Sequence, residues 1–218
     1  MFNSEAWYGV KQTEVDALEK IDEAYLRSLF KAHSKTPIEA FYLETGKYPL
    51  RYILKSRRLM YWWHMERLNG EKMLYKFLKA QQNNPVKNDW ILQVMKDKEE
   101  LQIDISDKEL LKMSKNVYKK YIRKKIKNAA LCYLNMLKGK HNKMKNLNSK
   151  TLKCSEYLTN SKFTKLEAQM LFKFRTRMFN VKENFENLYQ NMRCDLCHVE
   201  NGSQPHLFKC PIIKSFVP

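Results

Sequence analysis

Fourteen Lys and Arg fall within residues 110–155, and not one Asp or Glu accompanies them. Like charges at this density cannot be buried without partners, so the segment has to lie at a surface. The apolar residues among them recur at helical spacing: Leu110, Leu111, Val117, Tyr118, Tyr121, Ile122, Ala129, Tyr133 and Leu134. The pattern predicts a long amphipathic helix that packs by this stripe and turns Lys112, Lys115, Lys119, Lys120, Arg123, Lys124, Lys125 and Lys127 to solvent. Such a face suits a polyanion, because each phosphate it contacts releases counterions. Two other uses stay open. One is solvation alone, the commonest role of a charge run. The other is an acidic membrane surface, for which a Tyr-rich stripe without an acylation motif is a poorer fit.

The rest of the chain has the means to build a core. With 44% hydrophobic and 12% aromatic residues, its net charge of +18 does not make it a disordered polyelectrolyte. No apolar run approaches the roughly 20 residues of a membrane span, so no membrane partner is expected. The first twenty residues carry Glu5, Glu14, Asp16 and Glu19 and hold no apolar core of a secretion signal. An intracellular protein, nuclear or cytoplasmic and not secreted, with reduced cysteines, is the expectation.

Helix punctuation recurs along the chain and strand-like alternation does not, so the expected fold class is all-α. A first helix is predicted over residues 13–33, capped by Thr13, with Val15, Leu18, Ile21, Tyr25, Leu26 and Leu29 inward. Thr36-Pro37-Ile38-Glu39 reads as a capping box, with Gly46 as the stop. Pro49 opens a third helix with Leu50, Ile53, Leu54, Tyr61, Met65 and Leu68 inward and Arg51, Lys55 and Arg58 on another face. Further helices are expected over residues 71–82 and 89–101. Ser106 to Glu109 should cap the long basic helix, Thr164 to Glu167 a helix ending at Phe179, and a short helix should cover residues 182–189. The result is a multi-helix bundle in three parts: residues 1–104, then 105–155 with a Lys/Asn/Ser-rich linker from 139, then 156–218 with a small metal module. Trp62, Trp63 and Trp90 are assigned to the core, and Cys132 to a buried site.

That module rests on Cys194-x2-Cys197-x8-His206-x3-Cys210. Zinc takes four soft or borderline donors in a tetrahedron; the Cys-x2-Cys turn can present two, and the His-x3-Cys pair two more. Four protein donors leave no position for water, so a single structural zinc ion is expected. The competing readings are three unrelated buried thiols with a surface histidine, or His198 in place of His206, which adjacency to Cys197 disfavours. Catalytic signatures are missing. No two glycines stand closer than 24 positions, which excludes phosphate-binding and dinucleotide loops, and no Asp-Asp pair marks a two-metal site.

Asn3-Ser4-Glu5-Ala6-Trp7-Tyr8, Ser34-Lys35-Thr36-Pro37-Ile38-Glu39-Ala40, Tyr42-Leu43-Glu44-Thr45-Gly46, Pro49-Leu50-Arg51-Tyr52-Ile53 and Ser56-Arg57-Arg58-Leu59 stand in this order along the chain. Together they resemble the region that follows the polymerase palm in non-LTR retrotransposon reverse transcriptases. Phe174-Arg175-Thr176-Arg177-Met178 and the Cys/His segment resemble the zinc knuckle downstream in the same polyproteins. The resemblance implies thumb-like helices up to about residue 70, a helical connector, and a CCHC knuckle that helps hold RNA or target DNA. In that family the palm with its catalytic Asp pair would precede Met1 and a nuclease would follow Pro218. It therefore implies a fragment with no polymerase or nuclease turnover of its own, binding RNA, DNA or both and partnered by the missing polymerase portion. Arg51, Lys55 and Arg58 join the long helix as expected nucleic-acid contacts. The alternatives are an accessory part of an enzyme completed by other chains, and an interaction module for an acidic protein.

Overall fold

The computed structural model describes residues 4, 11–87, 89–141, 144, 147 and 150–216, and all but one of the first segment of the resemblance lie outside them. The described residues form helices α1 (Gln12–Phe30), α2 (Ile38–Thr45), α3 (Leu50–Glu66), α4 (Met73–Asn83), α5 (Trp90–Glu100), α6 (Asp107–Lys112) and α7 (Lys115–Lys138). They continue with α8 (Glu156–Thr159), α9 (Lys165–Arg175), α10 (Gln204–Leu207) and α11 (Pro211–Phe216). An isolated bridge between Arg193 and Asn201 is the extended pairing seen. The expected all-α class holds. No described helix is long and apolar enough to cross a membrane.

Contacts group the chain into two units that are discontinuous in sequence. The first holds residues 1–24, 47–136 and 150–152; the second holds 25–46, 137–149 and 153–218.

The first unit is built on α3, whose Leu59, Trp62, Trp63 and Met65 are buried with Leu78 of α4, Trp90, Ile91 and Val94 of α5, and Tyr118, Ile122 and Ile126 of α7. The three tryptophans are core residues, as expected. Trp63 Nε1 donates to Leu110 O at 3.1 Å, its ring stacks on Tyr118, and the Tyr118 hydroxyl donates to Leu59 O at 3.1 Å. The buried row of α7 is Tyr118, Ile122, Ile126, Ala130 and Leu134, a strict fourfold spacing. Val117 stands exposed instead, and so does Cys132, against both expectations. On α1 the expected stripe is likewise corrected: Val15, Leu26 and Phe30 are buried while Ile21, Tyr25 and Leu29 are exposed.

In the second unit Phe30, Phe41 and Phe172 form a triplet with ring centroids 4.3 to 5.7 Å apart. This pairing across more than a hundred residues is why α2 groups with α9. Gly46 ends α2 with φ 66, and a Cβ there would meet the backbone nitrogen of Cys154 at 2.5 Å. Only glycine fits both demands. Through this close approach Ser155 N donates to Glu44 O at 2.8 Å.

Two of the capping boxes form. Glu109 N donates to Ser106 Oγ at 3.4 Å and Glu167 N to Thr164 Oγ1 at 3.3 Å, each answered by the glutamate carboxylate. Hydrogen bonds from Ser106 and from the Thr164 N–H hold the two carboxyls below the usual range. What they add is therefore present above the ordinary glutamate pKa and is lost as pH falls through the depressed values. The first box, however, caps the separate α6. Met113 then turns extended at ψ 143, and α7 starts afresh with Val117 N donating to Ser114 Oγ at 3.4 Å. At Thr36 no box forms: Pro37 is the N-cap and the buried Thr36 hydroxyl has no partner among the described residues. α9 stops at Arg175, and Arg177 takes the left-handed φ of 54, a conformation that costs an L-residue roughly 1 kcal/mol. Two short 3-10 turns replace the short helix expected at 182–189.

Charge also anchors the first unit's core. Arg58 Nε donates to the fully buried Asp97 at 2.7 Å. Replacing Arg58 by Met leaves that carboxylate buried and unpaired, which should cost about 3–5 kcal/mol. Urea unfolding followed by Trp62, Trp63 and Trp90 fluorescence should show this loss, and the double variant Arg58→Met/Asp97→Leu should recover most of it.

Candidate metal centre and basic surface

The Cys/His segment folds as a hairpin followed by a helical turn. Arg193 bridges Asn201, Cys194 N donates to Glu200 O at 2.7 Å, and Gly202 N donates to Met192 O at 2.7 Å. The hairpin tip, Asp195 to Val199, thereby carries Cys197 back toward Cys194, and His198 at φ 55 completes the reversal. Ser203 then caps α10 by accepting from His206 N at 3.2 Å, and Cys210 N donates to His206 O at 2.7 Å. His206 and Cys210 stand one helical turn apart and face the same way.

Donor atoms of Cys194, Cys197, His206 and Cys210 all lie within 4.8 Å of one another. A tetrahedral ion with metal–sulfur bonds of about 2.3 Å needs donors about 3.8 Å apart, so the four can hold a metal ion with little adjustment. The sequence reading of these four is the arrangement found, and His198 is exposed outside it. Cys197 Sγ lies 3.2 Å from His206 Nε2, and His206 Nδ1 lies 3.0 Å from the carboxylate of Glu200.

Backbone N–H groups favour the thiolate at two of the three sulfurs. N–H groups of Val199 and Glu200 pull the Cys197 thiol down to about 6, and the Cys197 N–H lowers Cys194. For Cys210 the Ile213 N–H pulls downward, yet burial and the two neighbouring sulfurs push it up. Burial lowers His206, but Glu200 and the sulfurs outweigh it. Glu200 is the residue the motif could not announce. A carboxylate on the far nitrogen of a ligating histidine fixes the ring and raises its basicity, and nothing in the Cys/His spacing encodes it.

The expected nucleic-acid residues divide into two groups. On α3 all three are paired: Arg51 with Glu19 and with Asp16 at 3.3 Å, Lys55 with Glu100, and Arg58 with Asp97. Lys125 of α7 is paired too, at 3.0 Å from Asp104. By contrast Lys112, Lys115, Lys119, Lys120, Arg123 and Lys124 are exposed and Lys127 partly so, and among the described residues no ion pair involves any of them. Lys120, Arg123, Lys124 and Lys127 line one shallow concavity of about 490 Å³ with Tyr48, Val117 and Tyr121. This is the α7 face opposite the buried row.

The fold and site define an all-α protein with a Cys3His cluster and a basic helix face. No protein-family model matches the chain, and neither a curated protein nor a solved structure is similar to it.

Metal analysis under reducing conditions should find one ion per chain, and Cys210→Ser should lose it. Glu200→Gln should retain the ion but bind it about tenfold more weakly, measured by chelator competition. Stripping the ion should unravel residues 192–210 while leaving the tryptophan fluorescence of the α3 core unchanged.

Proposed function

We propose that the chain is a non-catalytic nucleic-acid-binding module, in which one structural zinc ion clasps the C-terminal segment and α7 supplies the phosphate contacts. Zinc fits the donor set because three thiolates and one imidazole are soft or borderline ligands that complete a tetrahedron without water. The observation that carries the binding role is the row Lys119, Lys120, Arg123, Lys124 and Lys127, which makes no ion pair among the described residues, in a protein whose Arg51, Lys55 and Arg58 are matched to carboxylates. Cations left without acids on one helix face favour a partner that brings its own negative charge. The resemblance to the post-palm region of non-LTR retrotransposon reverse transcriptases supports the same reading and makes RNA or DNA of such an element the natural ligand.

Phosphate contacts carry affinity without reading bases, so binding is expected to be nearly independent of sequence. Engaging five phosphates of a duplex gives log K a slope of about −4.5 against log salt. Changing Lys120, Arg123, Lys124 and Lys127 to Gln keeps helix propensity and should flatten that slope by about 3 to 4. Fluorescence anisotropy over a salt series measures both. A slope near zero, or a quadruple variant indistinguishable from the parent chain, overturns the assignment; tight binding of an acidic protein with none of duplex would transfer the face to a protein partner.

A further inference from the structure

The phosphate contacts proposed for α7 make no use of an exposed pair of phenylalanines in the second unit, beside the Cys3His cluster. Phe174, near the end of α9, and Phe208, just after α10, meet edge to face with centroids 5.2 Å apart. Both stay open to solvent, Phe174 at 40% and Phe208 at 60%. With Arg175, Arg177, Gln204 and Pro205 they line a cavity of about 300 Å³.

Two side-chain groups of its lining have no partner among the described residues. Gln204 is only 7% exposed, and its Nε2 donates to Phe174 O at 2.8 Å, which fixes the amide's orientation. The side-chain oxygen is then left without a partner among the described residues. A buried acceptor of this kind calls for a donor. Arg177 is the second. Its left-handed φ of 54 closes the end of α9, with Met178 N donating to Lys173 O at 2.9 Å. Glycine is the residue that fits such a position without strain, yet an arginine stands there, and among the described residues no ion pair involves it.

We propose that this cavity takes one base of a single-stranded nucleic acid, stacked on the Phe208 ring and edge-on to Phe174, with a base N–H donating to Gln204 Oε1 and the adjoining phosphate meeting Arg177. A single strand is required because duplex bases are already stacked and paired. The assignment rests on the nucleic-acid reading above and adds base contact to it. It also gives the metal cluster a task, since α10, which carries Gln204 and Pro205, is the same turn that presents His206.

The test is anisotropy with the full chain and four probes of equal phosphate number: single-stranded DNA, single-stranded RNA, an abasic single strand and a duplex. The parent chain should prefer at least one base-bearing strand over the abasic strand about tenfold, the scale of one stacked base. Phe208→Ala should remove that preference and leave duplex binding unchanged. Arg177→Gly should weaken single-strand binding several-fold while melting no lower than the parent, because glycine relieves the left-handed backbone; this separates lost recognition from lost folding. Equal binding of abasic and base-bearing strands, or variants that hold single strands as the parent does while duplex binding keeps its salt slope, refutes the base site and leaves the α7 assignment standing. A parent chain that binds none of the four probes removes both.

Discussion

Like charges on one helix repel at every turn, and α7 carries its cations with no carboxylate between them. The rest of the first unit is arranged around that constraint. Carboxylates from α1 and α5 are used on the cations of α3, where Asp97 and Glu19 bind Arg58 and Arg51 at close range. Asp104, from the loop before α6, pairs with Lys125 at the flank of α7 and accepts from the Tyr121 hydroxyl. The outward row is left to solvent and counterions, so the helix is held by its apolar row and by the Tyr118 hydroxyl on Leu59 O. The field it projects is concentrated on one face, which is the condition for steering a polyanion toward it.

At the other end of the chain the same logic runs with the signs reversed. Three sulfurs and an imidazole converge in a segment with little apolar core of its own, since α10 and α11 are short and Ile212 and Phe216 are exposed. A segment of that size lacks the buried area to offset its chain entropy, and an ion held by the four donors would supply the missing order. Glu200 links the two levels. Its backbone carbonyl closes the hairpin on Cys194 N, and its carboxylate orients His206, so one residue sets both the fold and the donor geometry.

What could be read from the sequence was local. The Cys/His spacing gave the four donors because a turn and a single helical turn fix their geometry within a few residues. Thr164 with Glu167 and Ser106 with Glu109 were legible for the same reason. Errors arose where tertiary contacts decide. Arg58 resembles a surface cation until Asp97, 39 positions away, is known to reach it. On α1 the exposed Ile21, Tyr25 and Leu29 carry the helical period as clearly as the buried residues do, and periodicity alone cannot choose between two apolar faces. Thr36 has the motif of a cap, but its hydroxyl is buried and Pro37 takes the position. The grouping of α2 with α9 through Phe30, Phe41 and Phe172 has no local trace at all.

The contact at Gly46 has a hereditary side. Lys153 and Cys154 lie against it through backbone atoms, so the site would accept other side chains at those two positions while tolerating none at 46. Copies of this gene drifting apart would then be expected to vary at a lysine and a thiol, residues that look chemically useful, and to keep a residue that has no chemistry. The most informative letter in that stretch is the one whose side chain is a hydrogen.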